Sequence, residues 1–409
     1  MKLYLRLAWR NLWRHRRRTL IVVTAMGAGL GLMMFYDGQI AGFDQAVYGN
    51  AIKILGGNIQ AHAAGYGDNA DQTPLLPLAD DQLIVQTALA QPQVLSASRR
   101  INTGGLATSR EGAFAVGITG IEPDMEQDVN VTAQHVIAGR YLAAEDKDMI
   151  FIGKGLADAM GVWVGDRITL VGRATHEQMR QRTMTVAGIY DLGMSEIEKR
   201  TVYMSLAEAQ ALYNLSGKST EVAIVLKQLG EEDAVLAALR LALPGYEVES
   251  WKANFPELYA AIATKSGVMN IFSVIILGIA AIGILNLLLM AVYERRREIG
   301  LLGAMGLKPR QISLLFILEG TLMGLVGVAA GIAFGLLING LLKKVGLDFS
   351  QFSNATSYMA LIEGRIYPSW GVENLLKRAV TVAIIAALAA FYPAREAANR
   401  DPAEALHAV

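Results

Sequence analysis

The 409-residue chain has no cysteine, balances 37 Lys and Arg against 37 Asp and Glu, and is 53% hydrophobic with only 18% charged residues; a soluble chain carries roughly 25%. Residues 266–293 and 320–342 hold no charge at all, and each exceeds the ~20 apolar residues that cross a bilayer. A purely soluble protein and a disulfide-stapled secreted domain are therefore excluded, and balanced charge with no large basic block argues against nucleic acid as the main partner.

In chain order, residues 1–18 come first, with Lys2, Arg6, Arg10, Arg14, Arg16, Arg17 and Arg18. On a helix, Leu5, Ala8, Trp9 and Leu12 share one face and Arg6, Arg10, Arg14 and Arg17 another. This predicts an amphipathic helix in the inner-leaflet interface, although a bare orientation signal remains open. The apolar run that follows is about 18 residues long, beyond the ~7–15 of a signal-peptide core, so an uncleaved anchor over 19–40 is expected. Residues 41–265 have ordinary soluble composition. Segments 149–152, 167–171, 184–189, 201–204 and 222–226 read as strands, and 206–213 and 231–243 as helices. Gly56, Gly57, Gly65 and Gly67 mark turns at the start of this region. Further spans are expected over 266–293, 311–342 and 379–394, joined by loops 294–310 and 343–378 and followed by a tail, 395–409.

The expected fold class is thus an α-helical membrane protein with four transmembrane helices and a large extracytoplasmic α/β domain inserted between helices 1 and 2. Orientation follows from Lys and Arg in the short loops. The N-terminal stretch, the 294–310 loop (Arg295, Arg296, Arg297, Lys308, Arg310) and the tail (Arg395, Arg400) are all basic, which puts them on the cytoplasmic side. The 343–378 loop would then face out despite Lys343, Lys344, Arg365, Lys377 and Arg378, with the last two snorkelling to the outer surface.

Little in the chain supports catalysis. There is no phosphate-binding loop, and Gly153-Lys154-Gly155 has the wrong spacing and is followed by Leu156. His15, His62, His135, His176 and His407 lack metal-ligand spacing, no G-x-S-x-G elbow appears, and a cysteine nucleophile is impossible. No metal or cofactor is expected on this chain.

The membrane-facing features say more. In the 294–310 loop, a small apolar run (Ile299, Leu301, Leu302, Ala304, Met305) sits between Gly300, Gly303 and Gly306. Such a patch needs cover, either a partner protein or lipid. In the third span, Gly320 and Gly324, then Gly327, Gly331 and Gly335, recur every four residues and allow another helix to approach closely, within the chain or at a dimer seam. Glu319 is the one carboxylate between Gln311 and Leu342; its depth predicts an interfacial position rather than a proton relay.

Three sequence stretches resemble the permeases of type VII ABC transporters, which include LolC/LolE, MacB and FtsX. They are Leu7-Ala8-Trp9-Arg10-Asn11-Leu12 with Arg16-Arg17-Arg18-Thr19-Leu20, the segment 294–312, and Tyr392-Pro393-Ala394-Arg395 with Asp401-Pro402-Ala403-Glu404-Ala405-Leu406. The 41–265 region likewise resembles the MacB-like periplasmic core, and its length and its Gly56-Gly57-Asn58-Ile59-Gln60 start look closest to LolC/LolE. The resemblance implies a dimer, with itself or a paralogue, over a cytoplasmic ATPase pair that holds ATP and Mg. It implies ATPase coupling through Glu298, Ile299, Gly300, Leu301, Leu302, Gly303, Ala304, Met305 and Gly306. It also implies extraction of a lipoprotein or another amphiphile from the inner membrane; Phe35, Tyr36, Val268, Met269 and Phe272, at the outer ends of the first two spans, are then candidate acyl-chain contacts in a cargo cavity, or else face lipid or pack against neighbouring helices. The carrier-recruiting hairpin of LolC would fall at 172–182, here short and without proline. FtsX-type signalling to a cell-wall hydrolase, MacB-like tripartite efflux and a membrane-anchored sensor are the alternatives.

Overall fold

The computed structural model describes residues 2–14, 16–67, 74–174, 178–294, 296–348, 365–372 and 374–398. The Asp401–Leu406 motif, most of the 395–409 tail and residues 349–364 of the 343–378 loop lie outside the described residues. The chain divides into two units, Met1–Phe43 with Ala261–Leu347 and Ile366–Val409, and Asp44–Ala260 with Asp348–Arg365.

The chain begins with α1 (Lys2–Arg14) and α2 (Arg16–Ile54). The span expected over 19–40 is the first part of α2, which continues unbroken to Ile54. The second unit then runs β1 (Ile59–Ala63), α3 (Asp81–Leu89), β2 (Val94–Thr108), β3 (Ala113–Ile121), α4 (Pro123–Glu126), α5 (Val131–Gln134), β4 (Val136–Gly139), β5 (Met149–Gly153) and α6 (Lys154–Met160). It continues with β6 (Arg167–Arg173), β7 (Met179–Tyr190), α7 (Ser195–Glu198), β8 (Thr201–Ser205), α8 (Leu206–Tyr213), β9 (Glu221–Leu226), α9 (Glu232–Ala242), β10 (Tyr246–Ser250) and α10 (Trp251–Asn254).

Its mixed sheet has the order β10-β1-β9-β2-β3-β8-β5-β7-β4, with β6 bridging β2 and β7. The strands expected from β-branched runs correspond to β5 to β9, and the two expected helices to α8 and α9. β2 was not legible. Its N-terminal half pairs with β9, and its C-terminal half with β3 and β6. Arg99, Arg100, Gly104 and Gly105 make it read as a loop. In the fold, however, Arg100 is buried and donates to both carboxylate oxygens of Glu126, at 2.6 and 2.8 Å, so its charge is answered where a lone arginine would not be tolerated. Through β2 the sheet feeds two cores. One sets Ile84 of α3 and Val235 and Leu239 of α9 against Ile59, Val222 and Ile224; the other sets Leu156 of α6 and Leu212 of α8 against Ile118, Ile152 and Met184. Each such fully buried side chain contributes about 1.5–3 kcal/mol.

At 172–182 the two strands of the expected hairpin run further than the sequence indicates. β6 and β7 pair in register from Arg167↔Thr185 to Arg173↔Met179, so most of it is strand; His176 and Glu177 lie outside the described residues.

The helical unit resumes with α11 (Pro256–Glu294), α12 (Arg296–Ala304) and α13 (Pro309–Val345), then the short ladder β11 (Leu347–Asp348) with β12 (Arg365–Ile366), and α14 (Leu375–Ala398). Among the described residues, four helices are long and apolar enough to cross a membrane, in α2, α11, α13 and α14. Such helices satisfy their own backbone, which lipid cannot do.

Candidate functional site

The connection between α11 and α13 is held as a discrete piece. Gly306, at φ +91°, ends α12, with Gly306 N–H donating to Gly303 O at 2.9 Å and Leu307 N–H to Leu302 O at 3.2 Å, a left-handed glycine stop. Pro309 opens α13, where its missing N–H costs nothing, and Gln311 Oε1 accepts from Lys308 N–H at 2.8 Å. One face of α12 is fixed: Ile299, 3% exposed, packs with Val292 and Ile312 against Leu307 and Phe316, and Gly300 is buried beside it. The other face is open, with Leu301 53% and Met305 62% exposed. Of the nine residues from Glu298 to Gly306, Ile299 and Gly300 are therefore anchors facing inward, and only the Leu301, Ala304 and Met305 side is free to receive anything. Glu298 lies 3.8 Å from Arg14 of α1.

The small-residue spacing of α13 is turned against α2. A Cβ on Gly327 would stand 2.7 Å from Met26 Cβ, one on Gly331 2.7 Å from Leu30 Cβ, and one on Gly335 2.8 Å from Met34 Cβ. Gly324 faces Ala386 of α14 in the same way, at 2.9 Å, and Gly320 is buried. Glu319 is buried, at 2% exposure.

The structure treats the five cargo-cavity candidates unequally. Tyr36 Oη donates to Met269 Sδ, tying α2 to α11, and Phe35 is half-buried. Val268 and Phe272 stand on an exposed apolar face of α11 that also carries Ile271, Val274 and Ile275. Such a face suits lipid or a second helix surface.

Two features escaped the sequence reading. Arg378 does not snorkel outward: its Nε and Nη2 donate to the two oxygens of Asp37 at 3.0 and 2.8 Å, with both side chains largely buried. Beside them, Asn339 Nδ2 donates to Met34 O at 2.9 Å and Trp370 O at 3.1 Å, and Ser369 N–H to Gly38 O at 3.0 Å. Asp37 within the first apolar helix and Arg378 near the start of the last were the available signal, because unlike charges in lipid-spanning segments find each other. The second feature is a cavity of about 420 Å³ lined by Val47, Ile54, Leu55, Met194, Phe255 and Leu258, from segments some 200 residues apart in sequence. It falls in the ~300–1,000 Å³ range of ligand pockets.

Comparison with known proteins places these features in context. Residues 19–242 match the family described as MacB-like periplasmic core domain, and residues 270–402 match FtsX-like permease C-terminal. The lipoprotein-releasing system transmembrane protein LolC of Xylella fastidiosa is 25% identical over 94% of this chain and 93% of its own length. The corresponding LolE of Haemophilus influenzae is 24% identical over 77% of this chain and 78% of its own. The macrolide export ATP-binding/permease protein MacB of Psychrobacter arcticus is 25% identical over 96% of this chain, but only 57% of its own length is covered.

Proposed function

Because the chain belongs to the MacB/FtsX family of ABC transporter permeases, we propose that it passes the motion of a cytoplasmic ATPase pair to a domain beyond the inner membrane. In this reading the N- and C-termini are cytoplasmic, the sheet domain follows the first span on the outer side, and the chain works as a dimer with itself or a paralogue. Hydrolysis, with its ATP and Mg, belongs to a separate subunit. The chain itself is not catalytic. The cargo is a lipoprotein or another amphiphile, in keeping with the near full-length match to LolC; the exposed face of α11 and the apolar cavity supply surfaces for hydrocarbon.

The observation that carries the proposal is α12. Ile299 fixes its inner face while Leu301 and Met305 remain exposed, an apolar patch in a chain that has no phosphate-binding loop of its own. A docked ATPase covers that patch, and a rigid α12 transmits a push to α11 and α13. The test is affinity capture of the full-length protein in mild detergent, with mass spectrometry of everything retained. An ATPase with a phosphate-binding loop is expected with the wild type. Met305→Arg, which buries a charge in the docked face, should cut its recovery by about tenfold or more. No ATPase even after cross-linking through α12 would overturn the proposal and favour a sensor. Co-eluting lipoproteins, hydrolases or efflux adaptors identify the branch.

A further inference from the structure

Helix α1 has three faces, and among the described residues only one of them is buried. Ala8 and Leu12 are buried where α1 lies along α13, and Thr19 Oγ1 donates to Leu12 O at 2.8 Å, fixing the junction with α2. About 100° further round, Leu5, Trp9 and Trp13 recur every fourth residue and are exposed, with the two indoles edge-on at 6.1 Å. A further 100° on, at the next residue in each case, stand Arg6, Arg10 and Arg14, all exposed, with Arg17 exposed at the start of α2. Arg14 lies beside Glu298. Among the described residues, Arg6 and Arg10 have no carboxylate partner.

Water suits the arginines but not Leu5, Trp9 and Trp13, and hydrocarbon suits the reverse. Only the boundary between the two accommodates both faces of a helix whose third side is bound to α13. Guanidinium groups there meet phosphate oxygens, to which their donor fork is matched, and a row of them prefers a net negative headgroup. We propose that α1 is a binding surface for anionic phospholipid: Trp9 and Trp13 enter the acyl boundary, and Arg6 and Arg10 take the headgroup phosphates. Arg14 is shared between that lipid and Glu298 of α12. The assignment does not depend on the permease reading, since it uses only α1, its anchorage and its charges.

The test uses the full chain in lipid nanodiscs. Because the chain has no cysteine, Leu7→Cys gives a single fluorophore site on α1. Its quenching by head-labelled nitroxide phosphatidylglycerol is compared with that by the phosphatidylcholine analogue. Stronger quenching by phosphatidylglycerol is expected, weakening with added salt. In the Arg6→Gln/Arg10→Gln variant, the preference should fall by roughly an order of magnitude, while Arg6→Lys/Arg10→Lys retains most of it. Equal quenching by the two lipids in the wild type, or none by either, overturns the proposal. An unchanged lipid preference in the Gln variant, with loss of a co-purifying protein, would assign the face to that protein and overturn it as well.

Discussion

His62 and Glu221 are direct partners across β1 and β9, and burial moves their proton affinities in opposite directions. His62, stacked on Tyr66 at 3.7 Å, is pushed down to about 4 by burial, against the raising influence of the Thr220 backbone and of Glu249 and Glu247. Glu221 is pushed up to about 7 by burial, with Arg100 opposing and Glu126 adding to the rise. The unfolded chain binds a proton at His62 below 6.5 and releases one from Glu221 above 4.5. Stability therefore falls through His62 as pH drops from 6.5 towards 4, and through Glu221 as pH rises from 4.5 towards 7. Between 4.5 and 6.5 the two slopes oppose each other. Glu221→Gln should unmask a stability that rises with pH in that window and His62→Gln one that falls, each limb reaching about 3 kcal/mol at most. Amide hydrogen exchange at β1 and β9 in the solubilised full chain reads this directly. Identical pH profiles in wild type and Glu221→Gln would show that the carboxyl is not held neutral. Elsewhere, the largely buried Asp37 and Arg378 answer each other, and removal of one partner from such a pair costs about 3–5 kcal/mol.

Among the elements, α2 and α13 depend most on particular residues, because their close approach needs hydrogen at three successive turns. Without a hydrophobic drive between lipid-bathed helices, packing itself holds them together. Gly331→Leu would push on Leu30 and on the Gly27 carbonyl and should destabilise the helical unit by about 1–3 kcal/mol or more. Gly29→Ala, whose Cβ would meet nothing within 4 Å, serves as the matched control and should leave thermal unfolding in detergent unchanged or slightly raised. If both variants unfold with the wild type, the glycines do not set that seam. The four-residue spacing was visible in the sequence; that it faces α2 was not, because glycine carries no mark of what lies opposite.

For the whole molecule, the charge pattern predicts orientation in the membrane. Basic residues in the N-terminal helix and the 294–310 loop favour the cytoplasm for those segments. The opposing charges near the fourth span carry less weight than their number suggests, since Arg378 is paired with Asp37 and Lys343 Nζ sits 5.4 Å from the Trp370 ring centroid. Asp128 is exposed in the sheet unit. A cysteine placed there should react with an impermeant thiol reagent in intact spheroplasts. Protection until lysis would invert the orientation.

By itself the sequence determined the apolar helices, the α/β character of the intervening region, the lack of a phosphate-binding loop and the candidate docking segment. Each of these depends on hydropathy, spacing or a short motif within one stretch of chain. Tertiary structure decided which residues of that segment are free: Ile299 and Leu301 are equally apolar in sequence, and only packing against Val292 and Ile312 separates them. It also made a strand of β2, by setting Glu126 against Arg100, joined Asp37 to Arg378 and assembled the cavity lined by Val47, Met194 and Phe255. These outcomes depend on partners far away along the chain, and no local pattern encodes them.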